Sequence, residues 1–218
     1  MSRPDLLVLV VGTATDVGKT WVGARTLAAL RAKGMTVAAR KPAQSFALDD
    51  PHPTDAEVLS AATGEEPSTV CPAHRSYPVA MAPPMAADVL GLPAPTLAAM
   101  FDELVWPDPA VRVGWLETVG GPHSPIATDG DAVTFASVLH PDLVVLVADA
   151  GLGTVNAVLS SLAPFGDLAV EVILNRFDPG DDLHRRNRDW LVDRCGLTVR
   201  LNPDELADQL SARLDRRS

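Results

Sequence analysis

The sequence is poor in cysteine, in basic residues and in long apolar runs. Its two cysteines, Cys71 and Cys195, are too few for a disulfide framework and lack the spacing of zinc ligands. Eighteen lysines and arginines against twenty-eight acidic residues give a net charge of −10, which argues against nucleic acid or an anionic membrane as a partner. The apolar run Leu6–Val11 is too short to span a membrane, and no secretory cleavage pattern follows it. We therefore expect a cytoplasmic protein.

The apolar residues are arranged as in an α/β protein. Hydrophobic residues make up 47% of the chain, enough for a large core without disulfide or metal support. Short Val- and Leu-rich runs alternate with helical patterns, which predicts a parallel sheet with helices on both faces. We expect one domain over residues 1–218. The predicted strands are Leu6–Val11, Thr36–Arg40, Val111–Glu117, Leu143–Ala148 and Val170–Asn175.

Capping residues and apolar spacing predict the helices. Thr54 and Glu57 form a capping-box pattern at the start of a short helix, and Gly64 is a suitable residue to end that helix. The proline-rich segment from Pro67 to Pro84 is predicted to be a surface connection, because proline does not fit a central strand. The other predicted helices are Lys19–Lys33, Thr96–Val105, Asp181–Asp193 and Asp204–Arg213.

One segment has the pattern and context of a phosphate-binding loop. The first predicted strand leads directly into Gly12-Thr13-Ala14-Thr15-Asp16-Val17-Gly18-Lys19-Thr20, and a helix follows. In such a loop, backbone N–H groups face phosphate oxygens, a lysine adds positive charge and the threonine hydroxyl binds magnesium. The glycine that the usual pattern has at position 13 is here at position 12. The alternative is an ordinary strand–helix turn with a solvated lysine.

Charged residues near the predicted strand ends could complete such a site. Lys41 follows the second strand, at the sheet edge where open α/β folds bind ligands, and we expect its charge to point into the ligand cleft. Asp55 and Glu117 could ligate magnesium, although Asp55 could equally stabilise a helix N-terminus. Asp149 is a candidate partner for a magnesium-bound water, or simply a turn residue. A solvated strand-end lysine is the alternative for Lys41.

The sequence contains six recognisable segments: GTATDVGKT at 12–20, KPAQS at 41–45, TDA at 54–56, ETVGG at 117–121, LGTVN at 152–156 and VILN ending at Asn175. Together these segments resemble the dethiobiotin synthetases, the ATP-dependent carboxylase-cyclases of biotin synthesis. The displaced glycine is a feature of that family. The resemblance implies a P-loop NTPase-like fold, Mg²⁺ as cofactor, and ATP, CO₂ and 7,8-diaminononanoate as substrates. It also implies a homodimer in which each site is completed by the partner subunit.

The resemblance also implies roles for individual residues. The expected catalytic residues are Lys41, Lys19 and Thr15, and the expected substrate-binding residues are Thr15, Lys41 and Ser45. The expected magnesium ligands are Thr20, Asp55 and Glu117. The expected ATP-binding residues are Asp16, Val17, Gly18, Lys19, Thr20, Trp21, Asp55, Glu117 and Asn175, the last of them at the adenine.

Several positions depart from the family pattern. Phe46 follows Ser45 where the family has glycine, Thr118 and Val119 replace Gly-Ala, and Ala157 replaces a histidine. The family's C-terminal adenine loop is not recognisable near residues 198–203. Three alternatives therefore stay open: a related phosphate-loop ligase with another small substrate, a partitioning-type ATPase, and a binding protein without turnover. The absence of a lysine early in the loop argues against the partitioning ATPase.

Overall fold

A six-stranded parallel sheet runs through the centre of the computed structural model, which describes residues 2–216. The strands are β1 (Leu6–Gly12), β2 (Val37–Arg40), β3 (Gln44–Ser45), β4 (Ser76–Tyr77), β5 (Val113–Glu117), β6 (Pro125–Ala127), β7 (Gly130–Asp131), β8 (Leu143–Asp149), β9 (Val170–Asn175) and β10 (Val199–Arg200). The strand order of the sheet is β10-β9-β8-β1-β5-β2, and β3–β4 and β6–β7 form two separate short pairs.

Helices connect these strands and cover both faces of the sheet. A π-helical turn, Trp190–Arg194, continues α8, and short 3₁₀ turns occur at Ala73–Arg75 and Ala163–Phe165. The helices are α1 (Lys19–Ala32), α2 (Asp55–Thr63), α3 (Pro67–Val70), α4 (Pro83–Val89), α5 (Leu97–Glu103), α6 (Ala132–Leu139), α7 (Thr154–Leu162), α8 (Asp182–Asp189) and α9 (Pro203–Asp215).

The core lies in two layers, one on each face of the sheet. Successive side chains of β1 alternate between them, so that Leu7 and Leu9 join one cluster while Val8 and Val10 join the other. Helices α1, α2 and α9 pack on the second cluster, and α5, α6 and α7 on the first. Every residue of β1 is buried, as expected for a central strand of a parallel sheet. The predicted α/β class is confirmed.

The register of the strands brings the sequence motifs to one edge of the sheet. Val10 of β1 is paired with Glu117 of β5, and Arg40 of β2 is paired with Leu116. Lys41, the next residue after Arg40, therefore lies beside Glu117. The loop that follows Gly12 starts at the same edge, because the strands are parallel.

The prediction for the proline-rich segment was wrong in part. It contains no strand of the main sheet, but α3, a 3₁₀ turn, β4 and the start of α4 lie between Pro67 and Pro84. Val70, Cys71 and Tyr77 are buried, so the segment packs into the core and is not a surface connection. Prolines at the first positions of α3 and α4 begin these helices.

Within residues 2–216, no helix is both long enough and apolar enough to cross a membrane.

Candidate active site

The start of the loop after β1 is held by backbone contacts from β8 and from the segment that follows β5. The amide of Gly12 donates to the carbonyl of Gly120 at 3.1 Å, and that of Thr13 donates to the carbonyl of Val147 at 2.9 Å. A Cβ at Gly12 would lie 2.6 Å from the carbonyl oxygen of Ala14. Glycine is therefore required at position 12, which gives the displaced glycine of this loop a physical reason.

The second half of the loop is fixed from β9. Gly18, the residue before α1, has φ of +90°. The side-chain amide of Asn175 donates to the carbonyl of Val17 at 2.9 Å and packs against Gly18. Asp16 has φ of +60°, and the guanidinium of Arg176 donates to its carbonyl at 2.9 Å. Sequence reasoning missed Arg176; its position directly after a strand that ends at the ligand edge was the available signal.

Replacing Gly18 with alanine tests this loop geometry. A Cβ there would lie 2.2 Å from Nδ2 of Asn175, and the backbone conformation is already unfavourable for alanine. We expect Gly18→Ala to lower the free energy of unfolding by about 1–3 kcal/mol and to weaken ATP binding. Gly34→Ala is the matched control, because Gly34 has φ of +81° but open space around a Cβ. Denaturant melts and calorimetric ATP titrations compare the two, and equal effects of both variants would contradict the loop contact.

Three oxygen atoms converge at the start of α1. Oγ1 of Thr20 lies 2.6 Å from Oδ1 of Asp55 and 2.7 Å from Oε1 of Glu117. A hydroxyl carries one proton, so it can donate to only one of the two carboxylates. The other carboxylate oxygen, Oε2 of Glu117, is buried without a hydrogen-bond partner. Because buried polar atoms normally have partners, these oxygens form a place for a cation.

Lys41 pairs with both carboxylates of this group. Its Nζ lies 2.5 Å from Oδ2 of Asp55 and 2.7 Å from Oε1 of Glu117, and the side chain is 2% exposed. Burial alone would lower the pKa of Lys41, but the Glu117 and Asp55 carboxylates outweigh it and raise that pKa. Burial would likewise raise the pKa of Asp55, but Lys41 and Thr20 hold it below its ordinary value. The sequence analysis placed Lys41 at this edge of the sheet but did not predict its pairing with the two carboxylates.

Lys19 is also buried but, unlike Lys41, forms no ion pair among the described residues. Its Nζ donates to the carbonyl of Ala14 at 3.3 Å, and within residues 2–216 it has no carboxylate within 4.0 Å. Burial, followed by the neighbouring charge of Lys41, lowers the pKa of Lys19. A buried ammonium without a carboxylate partner is a strong attractor for an anion. The loop thus offers backbone N–H groups, an α-helix N-terminus and one under-compensated cation to a phosphate.

Comparison with known proteins decides the family. Residues 7–199 match the family described as AAA domain. A protein of Haloferax mediterranei named ATP-dependent dethiobiotin synthetase BioD is 34% identical over 89% of this chain and 82% of its own length. Proteins with the same name from Anaeromyxobacter sp. (34% identity; 92% and 83% covered) and Rhodopirellula baltica (30%; 88% and 82%) also match. The chain belongs to the dethiobiotin synthetase family.

A likeness to solved structures concerns the fold alone. The signal recognition particle receptor FtsY from Elizabethkingia anophelis superimposes with a TM-score of 0.55 at 16% identity. The match covers 96% of this chain and 66% of the receptor, so this chain spans just under two thirds of the receptor's length. The shared architecture is the mostly parallel sheet flanked by helices.

In this member of the dethiobiotin synthetase family, two expected substrate residues lie on the phosphate loop and on the short strand β3. Thr15 is exposed on the phosphate loop, and a Cβ at Gly120 would lie 3.8 Å from its Oγ1. Ser45 is half-buried in the short strand β3. The adjacent Gln44 is buried, accepts the amide of Ala56 at 2.9 Å, and so ties β3 to the start of α2.

Two of the departures from the family pattern have structural explanations. The hydroxyl of Thr118 donates to the carbonyl of Val10 at 3.1 Å, and Val119 packs against the core. The backbone amide of Phe46 donates to the carbonyl of Tyr77 at 3.1 Å, a contact that glycine could also make, and nothing in the structure explains the half-buried ring at this position. Ala157 is half-buried on α7, and nothing in the structure explains its presence there.

Two other expected residues lie at the margin of the site. Trp21 is 52% exposed on α1, and the guanidinium of Arg25 lies 5.8 Å from its ring. The carboxylate of Asp149 accepts the amide of Gly151 at 2.8 Å and lies 3.4 Å from Arg176. These contacts favour the turn interpretation of Asp149 over a role beside magnesium.

Proposed function

We propose that the protein is an ATP-dependent dethiobiotin synthetase. It joins CO₂ to 7,8-diaminononanoate and closes the cyclic urea dethiobiotin, with release of ADP and phosphate. The observation that supports this activity best is the convergence of Lys41, Asp55, Glu117 and Thr20 beside the phosphate loop of a chain from this family.

The reaction divides into three balanced steps. One amine of the substrate adds to CO₂ and loses a proton, which gives a carbamate. A carbamate oxygen attacks the γ-phosphorus of ATP as the bond to the leaving ADP oxygen breaks, which gives a mixed anhydride. The second amine then attacks the carbamoyl carbon, loses a proton and expels phosphate. No protein side chain has to act as a nucleophile, because positioning and charge neutralisation suffice for phosphoryl transfer.

The residues of the site supply those two requirements. Lys19 and the N–H groups of residues 16–20 bind the β- and γ-phosphates. Lys41 neutralises charge where the carbamate oxygen and the γ-phosphoryl group meet. Thr15 and Ser45 orient the diamine, and Asn175, beside Gly18 and Val17, faces the adenine. The outer residues Asp16 and Trp21 border the nucleotide.

The oxygen cluster fits a magnesium ion. Thr20, Asp55 and Glu117 would hold it, and the buried Oε2 of Glu117 has no other partner in the part of the chain described. When bound, Mg²⁺ would neutralise charge on the triphosphate. Two carboxylates and one hydroxyl are a suitable protein contribution for a metal that keeps several waters.

Conservative amides at the two carboxylates test the magnesium role. We expect Asp55→Asn and Glu117→Gln each to raise the Mg²⁺ concentration for half-maximal activity by about tenfold, because a charged ligand is lost. Glu66→Gln is the control, because Glu66 is exposed on the adjacent helix start. If Asp55 serves only the helix N-terminus, Asp55→Asn would lower stability by about 0.3–1 kcal/mol and leave the Mg²⁺ requirement unchanged. Mg²⁺ titrations and thermal melts decide between these results.

We also propose that residues 1–218 form one domain, that the protein works as a cytoplasmic homodimer, and that the partner subunit completes each site. The family resemblance supports these statements. Analytical ultracentrifugation of the purified protein measures its mass in solution, and a purely monomeric, active enzyme would contradict the dimer.

A turnover assay tests the proposed activity directly. Purified protein is incubated with 7,8-diaminononanoate, bicarbonate, Mg²⁺ and ATP, and dethiobiotin is measured by mass spectrometry alongside ADP. We expect one ADP per dethiobiotin and no product when the diamine is left out. ATP hydrolysis without dethiobiotin would contradict the proposal and favour a related ligase with a different substrate.

A further inference from the structure

Lys41 occupies the oxygen cluster that is proposed to hold Mg²⁺. Its ammonium contacts Oδ2 of Asp55 and Oε1 of Glu117, and the same Glu117 oxygen also contacts Thr20. The two carboxylates therefore already hold one ammonium, that of Lys41, while Lys19 lies nearby without a carboxylate within 4.0 Å among the described residues. The structure therefore contains its own counter-ion at the metal position.

A divalent cation that binds these oxygens has to displace the ammonium. Lys41 is 2% exposed, so an ammonium pushed off the carboxylates would remain in a poorly solvated place without a counter-charge. Lys19 and the loop would then add further positive charge nearby. The triphosphate of a nucleotide removes this obstacle, because its oxygens supply the anionic partner that Lys41 loses.

We infer that Lys41 is an internal counter-ion that keeps Mg²⁺ out of the nucleotide-free site and yields the carboxylates only when a triphosphate is present. The same lysine then faces the phosphoryl group. This inference rests on the proposed function and adds an order of events to it: metal and nucleotide enter together. By linkage, the factor by which nucleotide tightens metal binding equals the factor by which metal tightens nucleotide binding.

The chain offers a favourable set of variants for this test. The sequence contains three lysines, Lys19, Lys33 and Lys41. Lys41→Met removes the counter-ion and keeps much of the side-chain volume. Lys33→Met is the matched control, because Lys33 is exposed at the C-terminal end of α1, far along the helix from Lys19, and pairs with the exposed Asp208. Lys41→Gln is a second variant that can keep hydrogen bonds to the carboxylates without the charge.

The measurement is Mn²⁺ binding to nucleotide-free protein, followed by electron paramagnetic resonance of the free ion at mildly alkaline pH. We expect wild type and Lys33→Met to bind weakly, and Lys41→Met and Lys41→Gln to bind about tenfold or more tightly. Adding a non-hydrolysable ATP analogue should tighten Mn²⁺ binding to wild type more than to either Lys41 variant. The further change Glu117→Gln in the Lys41→Met protein should abolish the gain.

The inference is overturned if neither Lys41 variant binds Mn²⁺ more tightly than wild type does. It is also overturned if wild-type protein binds Mn²⁺ as tightly without nucleotide as it does with the ATP analogue. If Lys41→Met folds only when Mn²⁺ is added, the metal has replaced the lost ammonium and the inference is supported.

Lysine-selective NMR of wild type gives an independent result. The Lys41 signal should stay fixed with Mg²⁺ alone and move with Mg²⁺ plus the analogue; movement with Mg²⁺ alone would contradict the inference. None of these readouts needs turnover, so they can fail while dethiobiotin formation succeeds, or the reverse.

Discussion

Replacing Lys41 with methionine is expected to lower the turnover number for dethiobiotin formation by about 10²–10³, the usual loss when one preorganised charge donor at a reacting group is removed. The charge of Lys41 lies at the end of β2, where the phosphoryl group and the carbamate are proposed to meet. Lys41→Arg should restore little of the activity, because a planar guanidinium does not fit the position of a compact ammonium between Asp55 and Glu117.

The same variant is expected to be less stable than wild type when no ligand is present. The loss of the Lys41 ammonium leaves Asp55 and the fully buried Glu117 without their cation. Removing one partner of a buried ion pair lowers the free energy of unfolding by about 3 kcal/mol. Thermal melts of the nucleotide-free protein measure this, with Lys33→Met as the control that should change little. A Lys41→Met protein with wild-type turnover would contradict the catalytic role, and an unchanged melting temperature would contradict the ion pairs.

Replacing Lys19 with alanine is expected to have the second large effect, this time on nucleotide binding. Lys19 is proposed to contact the triphosphate from a buried position, and losing such a charged contact costs about 2–5 kcal/mol, or about 30-fold to several thousandfold in the dissociation constant. Calorimetric titration with ATP measures this loss. ATP affinity and activity equal to wild type would contradict the role of the loop.

The two lysine variants should differ in the stability of the empty protein. Lys19 donates only to the carbonyl of Ala14 among the described contacts, and burial lowers its pKa. Removing it relieves the cost of a buried, weakly compensated charge, so Lys19→Ala should melt at or above the wild-type temperature. Lys41→Met should melt below it. A melting temperature for Lys19→Ala as low as that of Lys41→Met would show that Lys19 also stabilises the fold through a charge pair.

Most of the sheet could be predicted from the sequence because buried parallel strands are continuous apolar runs. The prediction for β9 matches the structure at both ends, and β1 and β8 end one residue later than predicted. The capping box at Thr54 and the left-handed Gly64 also occur as predicted. The strand β10 was missed because two residues are too short to show a pattern, and α6 because its eight residues contain few polar positions.

The sequence indicated which residues lie together at the candidate site, but not which charged groups form ion pairs there. The phosphate loop, Asp55 and Glu117 each follow a local pattern that local reasoning detects. The pairing of Lys41 with Glu117 depends on β2 lying next to β5, with Arg40 opposite Leu116, and no local pattern encodes that neighbourhood. Arg176 was missed for a similar reason, because its partner Asp16 is 160 residues away in the sequence.

The transfer of oxygen from CO₂ to phosphate tests the central claim most directly. The reaction is started with carbon dioxide labelled with heavy oxygen and quenched before the label exchanges with water, and the released phosphate is analysed by mass spectrometry. If a carbamate oxygen attacks the γ-phosphorus and leaves with it at ring closure, each phosphate carries one labelled oxygen for each dethiobiotin formed. Phosphate without label would mean that water attacks ATP, which contradicts the account.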